Sequence, residues 1–130
     1  QQEVVRRMAA SPGSKAWGKL SVMCQYRCSV TPLFNVPPEA FSPAPRVQSS
    51  IVRLIPHPQP PVRVANLSAF ERVVNQAFSQ RRKTLRNSLR SVLDAPSIES
   101  AGIDPGIRPE MLSLEQFAAL SELLGPVNTD

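Results

Sequence analysis

The chain has 130 residues, 42% of them apolar, which is enough for one small domain or for a piece of a larger protein with a small domain attached. Its formal charge of +5 is split unevenly: residues 1–90 carry fourteen Lys/Arg against three acids, +11, and residues 91–130 one Arg against seven acids, −6. That asymmetry points to a half that faces a polyanion and a half that is solvated, while no apolar run is long enough to cross a bilayer.

Gln1 to Met8 reads as a helix already under way, with no Ser, Thr, Asp or Asn cap, so an upstream portion of the protein is expected. This helix runs to about Ala10, and Ser11-Pro12-Gly13 stops it. A second helix is predicted over Gly18–Cys28, with Leu20, Met23, Cys24 and Cys28 as its apolar stripe. The two cysteines have only His57 as a further soft ligand, too few for zinc, so they read as reduced thiols and no metal is expected. Two thiols without a secretory apolar core suit a cytoplasmic protein.

Val30–Val36 and Ser50–Ile55 read as strands, the first restricted by Pro32 to an edge or a strand start. Arg53, inside the second, needs a polar exit. Between them, Pro37 to Ser49 holds four prolines that fix φ and push the residues before them to extended conformations. The result is a stiff connection around Phe41, readable either as a spacer or as a ligand contact. Pro56-His57-Pro58-Gln59-Pro60-Pro61 reads as a semi-rigid linker, with His57 exposed within it.

Helical periodicity follows. Leu67, Phe70, Val73, Val74, Ala77 and Phe78 share one face, with Asn66 or Ser68 as cap. Leu85, Leu89, Val92 and Leu93 predict a further helix capped by Thr84 and ended by Pro96. Ser97–Ala101 is predicted as a short helix closed by Gly102, and Ser113/Gln116 as a capping box opening a last helix that Gly125-Pro126 stops.

Between two of these helices, Arg81-Arg82-Lys83, Arg86 and Arg90 place five cations and no acid. Cations at a helix start oppose the positive end of its dipole, so helix stability does not explain them. Neutral hydrogen-bonding neighbours such as Gln80, Thr84 and Asn87 suit phosphate and sugar contacts. The residues permit either RNA or DNA, including a helix-turn-helix. The chain holds no glycine-rich phosphate or adenosine loop and no nucleophile–base set.

Three stretches together resemble the ribosomal RNA adenine N6-dimethyltransferases of the bacterial 16S type. They are Ser14-Lys15-Ala16-Trp17-Gly18-Lys19-Leu20-Ser21-Val22-Met23, the stretch from Val36 to Ser49 with the full F-x-P-x-P-x-V-x-S pattern from Phe41 to Ser49, and Asn75-Gln76-Ala77-Phe78-Ser79-Gln80-Arg81-Arg82-Lys83-Thr84-Leu85-Arg86-Asn87-Ser88-Leu89. Trp17 stands where the family pattern has Tyr, and the likeness thins after about Asp94. It implies an α+β piece of a two-domain parent. Residues 1–57 would be the last helices and final two antiparallel strands of a Rossmann-like methyltransferase domain, 58–61 a Pro-rich linker, and 62–130 a small all-α rRNA-binding domain. The parent would use S-adenosylmethionine to dimethylate two adjacent adenosines near the 3′ end of 16S rRNA in the small ribosomal subunit.

The cofactor motif and catalytic loop of that family have no counterpart in this chain, so binding of rRNA without catalysis is expected, with no cofactor bound. By resemblance, Phe41 and Pro43 line the pocket of an extruded target adenosine, and Arg7, Arg81, Arg82, Lys83, Arg86 and Arg108 contact RNA. Arg108, alone among acids, could instead pair with Asp104 or Glu110. The open sheet edge implied for residues 1–57 could pair with another chain. A non-enzymatic helical nucleic-acid module, or a 23S rRNA adenine methyltransferase that confers antibiotic resistance, are the alternative readings.

Overall fold

A computed structural model describes residues 1–40, 42, 43 and 48–124. Phe41, and with it most of the Phe41–Ser49 pattern, lies outside the described residues, as do Gly125 and Pro126. In chain order the elements are α1 (Gln2–Met8), α2 (Lys19–Arg27), β1 (Cys28–Val36), β2 (Ser49–Pro56), α3 (Leu67–Ser79), α4 (Leu85–Ser88), α5 (Ala95–Ser100) and α6 (Leu114–Glu122), with 3-10 turns at Pro38–Ala40 and Pro109–Met111.

The strands pair antiparallel, Cys28 opposite Pro56 and Val36 opposite Ser49, with an irregularity between Pro32 and Phe34. Pro32 is tolerated inside β1 because this two-stranded sheet has only edge strands, and the irregularity relieves the ladder beside a residue that cannot donate. The sheet is thinly covered: Leu33, Phe34, Ile51, Leu54 and Ile55 are exposed, and so is Arg53. α1 packs against α2 and is tied to the connection before β2, where the Gln2 amide donates to the Gln48 carbonyl at 2.9 Å.

The main core lies between α3 and α6. α3 carries Ala69, Phe70, Val73, Val74 and Ala77 fully buried on the face its periodicity predicts, and Asn66, not Ser68, is its cap, accepting from the Ala69 amide at 3.1 Å. α6 opens with the expected reciprocal box: the Gln116 amide donates to Ser113 Oγ at 3.2 Å, and the Ser113 amide to Gln116 Oε1 at 2.9 Å. It buries Phe117 and Leu120, and the Phe117 ring meets Phe78 with centroids 5.6 Å apart.

This core runs across the proline linker. Trp17 and Val22 from the first part of the chain join Val62, Phe70, Leu85, Leu112 and Phe117 in one cluster. Tyr26 stacks on Phe70 at 5.1 Å between ring centroids. Trp17 is 1% exposed, and its indole N–H donates to the Leu112 carbonyl at 2.8 Å.

Four local expectations are corrected. On α2 the buried residues are Ser21 and Val22, and Leu20 is exposed. The helix is also gripped by polar bonds to α1 and the residues just after it: Ser21 Oγ donates to the Arg7 carbonyl, and Gln25 Nε2 to those of Met8 and Ala10, both at 2.8 Å. Apolar periodicity alone misses a helix held partly by such bonds. Cys28 is the first residue of β1 rather than part of the helix, while burial, and then the nearby Cys28, push the Cys24 thiol up.

Secondly, the helix expected up to Pro96 stops at Ser88. Val92 and Leu93 both donate to the Leu89 carbonyl, which keeps Leu89 and Leu93 inward without a continuous helix. Thirdly, Pro96 belongs to the first turn of α5, where a missing N–H costs nothing, and the helix is capped by Asp94 through the Ser97 amide at 2.9 Å. Gly102, at φ +78°, then closes α5 in a conformation that other residues rarely adopt. Lastly, His57 is half-buried instead of exposed, its Nε2 donating to the Gln25 carbonyl at 2.9 Å and its amide to the Arg27 carbonyl at 2.9 Å.

Candidate nucleic-acid interface

The basic run occupies the turn from α3 into α4. Lys83 donates its amide to the Gln80 carbonyl at 2.9 Å, which closes the turn. Thr84 stands at the cap position of α4 but makes no side-chain cap bond. Its work is done from a distance: the Leu85 amide donates to the Ile107 carbonyl at 2.8 Å, and the Arg86 amide to the Pro105 carbonyl at 2.9 Å. Two carbonyl dipoles therefore face the first turn of α4 and satisfy donors that cations alone would leave exposed. The same bonds hold the loop bearing Arg108 against the basic turn, so residues 83, 86 and 108 belong to one locality.

Arg82, Lys83, Arg86 and Arg108 are exposed, and among the described residues no carboxylate pairs with any of them. Both acids that could have neutralised Arg108 are engaged elsewhere. Asp104 Oδ1 accepts from the Gly106 amide at 2.8 Å, and Glu110 Oε2 lies 3.7 Å from Arg81 Nη2. Arg108 precedes the 3-10 turn at Pro109–Met111, whose Pro109 is buried, so its backbone is fixed while its side chain is free.

Arg81 is placed differently from its neighbours. Its Nη2 donates to the carbonyls of Lys15 and Trp17, at 2.9 and 2.8 Å, and the guanidinium carbon stands 5.8 Å from the centre of the Phe78 ring. Arg7 is exposed and paired with Glu3, Nε to Oε1 at 3.1 Å.

Arg7 and Arg81, far apart in sequence, meet in one groove of about 240 Å³, lined also by Ala16, Gly18, Lys19, Leu20, Ser21 and Phe78. Lys19 is a cation that the sequence reading passed over. Its signal, a third basic residue beside an aromatic, exists only once α1, α2 and α3 converge. Pro43 is exposed in the connection between β1 and β2, and Phe41 lies outside the described residues. Among the described residues no group of His, Cys, Asp and Glu is arranged to hold a metal ion.

Comparison with known proteins supplies the context for this surface. The sequence model of the ribosomal RNA adenine dimethylase family matches residues 1–125. The chain is 53% identical over 124 residues to the ribosomal RNA small subunit methyltransferase A of Pseudomonas putida, and covers 46% of that protein. It is 54% identical over 121 residues to the protein of the same name from Chromohalobacter salexigens, of which it covers 43%. It thus spans less than half the length of these curated relatives. Among solved structures it is similar in fold to a dimethyladenosine transferase from Plasmodium falciparum, with a TM-score of 0.76 over 92% of this chain and 53% of that one at 22% identity. It is also similar to the 23S rRNA methyltransferase ErmE, with a TM-score of 0.67 over 97% of this chain and 52% of that one at 26% identity. The family model spans both segments joined by the shared core, and the chain belongs to the ribosomal RNA adenine dimethylase family.

Proposed function

We propose that the chain is the RNA-gripping part of an S-adenosylmethionine-dependent adenine dimethyltransferase of the small ribosomal subunit. In this reading it binds 16S rRNA in the cytoplasm and does not methylate by itself. The observation that carries the proposal is the cluster of exposed, carboxylate-free cations at Arg82, Lys83, Arg86 and Arg108, fixed by backbone bonds on both sides of one joint. Each can meet a phosphate, Arg with two parallel donors and Lys as a point charge. Arg7 and Lys19 extend this surface along the groove to the α1–α2 junction, a cleft of the scale of one phosphate and its sugar.

The choice of the small-subunit RNA rests on the names of the relatives at about half identity, against 26% for the large-subunit enzyme of known structure. A helix-turn-helix on DNA has less support, because the helix after the turn runs only from Leu85 to Ser88. The target adenosine would enter beside Phe41 and Pro43, in the connection between the strands. In the parent, S-adenosylmethionine would supply the methyl groups. This chain has no glycine-rich strand-to-helix turn to hold it. The division at 58–61 into a methyltransferase piece (1–57) and an rRNA-binding domain (62–130) belongs to the same reading, as does pairing of the thinly covered strands with another chain.

The test is binding of the chain to a hairpin from the 3′ end of small-subunit rRNA across a salt series, beside Arg82→Ala/Lys83→Ala. Loss of affinity with a fall of about 1.4 to 1.8 in the log–log salt slope is expected, since each neutralised phosphate contributes about 0.7 to 0.9. Identical curves for the two proteins would show that the turn is only a solvated surface.

A further inference from the structure

The geometry points to Arg81 as a positioning residue that holds the basic surface in shape, rather than as one of its phosphate ligands. This inference rests on the reading of the basic turn as the RNA grip and divides the labour within it.

A guanidinium can meet a phosphate through two forks, Nε with Nη2 or Nη1 with Nη2, and both use Nη2. In Arg81 that nitrogen donates to the Lys15 and Trp17 carbonyls and faces Glu110 at 3.7 Å. Its two hydrogens are spent, so neither fork is available. Nη1 lies near Gly18, 3.7 Å from where a Cβ would stand, and the Phe78 ring flanks the group with its centre 5.8 Å from the guanidinium carbon. Arg81 is also the least exposed member of its run.

What these contacts join is informative. The Lys15–Trp17 carbonyls belong to the loop entering α2, and Glu110 to the turn after Arg108, while Arg81 itself opens the turn that follows α3. The Gly13 amide donates to the Glu110 carbonyl at 2.7 Å, closing the same circuit from the other side. One cation thus ties together the three segments that carry Lys19, Arg82-Lys83 and Arg108. Without it, backbone bonds would still hold the Arg108 loop to the basic turn, but the segment that carries Lys19 would lose its fixed place beside them, and ordering flexible side chains and loops weakens phosphate binding.

The experiment compares Arg81→Gln, Arg81→Lys and Arg82→Gln in binding to the same rRNA hairpin over a salt series, with circular dichroism to confirm folding and the emission of Trp17, the single tryptophan, as a local reporter. Arg81→Gln is expected to weaken binding about tenfold at every salt concentration with the slope unchanged, and to shift the Trp17 emission. Arg82→Gln should lower the slope by about 0.7 to 0.9 and leave the emission alone. Arg81→Lys, which keeps the charge but not the planar donors, should behave like Arg81→Gln, and it serves if the glutamine variant fails to fold. A slope loss in Arg81→Gln equal to that of Arg82→Gln would overturn the inference, as would unchanged affinity in a folded Arg81 variant. No effect of Arg82→Gln, alone or with Lys83→Gln, would instead overturn the basic-turn reading, and the inference with it.

Discussion

Replacing Trp17 by Phe tests whether the two halves of the sequence share one core. Trp17 is 1% exposed and donates to the carbonyl of Leu112, which lies 95 positions away and is fully buried itself. Phe removes the donor and strands that carbonyl away from water, which costs about 1–3 kcal/mol. The smaller ring also leaves a void in the shared core, worth about another 1 kcal/mol. The expected loss is therefore about 3 kcal/mol. For a chain of this size that lowers Tm by roughly 10 °C. Urea unfolding followed by far-ultraviolet circular dichroism measures it without relying on the fluorescence that the substitution removes. Trp17→Tyr, which restores a donor to the ring, should lose less. A loss below about 1 kcal/mol for Trp17→Phe would refute the reasoning, because neither the bond nor the packing could then be present as described.

Two further expectations concern single polar groups. The Ser88 hydroxyl is buried without a hydrogen-bond partner among the described residues, so Ser88→Ala should raise stability by about 1 kcal/mol, seen as a higher urea midpoint at constant m-value; a drop would mean that the hydroxyl is bonded after all. Hydrogen bonds from Ser97, side chain first and backbone amide second, hold the Asp94 carboxyl below its usual range. A depressed folded pKa gives stability that is present above the unfolded value, about 3.9, and is lost as pH falls through the folded one. Asp94→Asn should therefore flatten the acid limb of a stability–pH curve below about pH 4 and change it little in slope above pH 5. An unchanged acid limb would count against the cap.

α3 and α6 could be read directly from the chain, because a 3.6-residue apolar period and a local cap are both written within about a dozen residues. Phe70, Val73, Val74 and Ala77 are buried as their spacing demands, and Ser113 with Gln116 closes the box as expected. The two strands were legible as short runs rich in β-branched residues, and the basic turn was visible as composition alone. These features depend on neighbours in sequence.

What the tertiary structure decided were features that depend on distant partners. No local pattern tells that carbonyls at 105 and 107 would replace the Thr84 side chain in capping α4, or that α4 would end after one turn. Nor does spacing reveal that His57 would bond to Gln25, or that Lys19 would join Arg7 and Arg81 along one groove. Arg81 shows the difference most plainly. In sequence it is one of three adjacent cations, chemically equal to Arg82. Only when the chain brings the Lys15 and Trp17 carbonyls to its guanidinium, across more than sixty residues, does its charge become part of the frame while its neighbours' charges stay in solvent. Sequence sets which groups carry donors and charge. Chain closure determines which of those donors are already satisfied, and satisfaction by backbone separates a strut from a ligand.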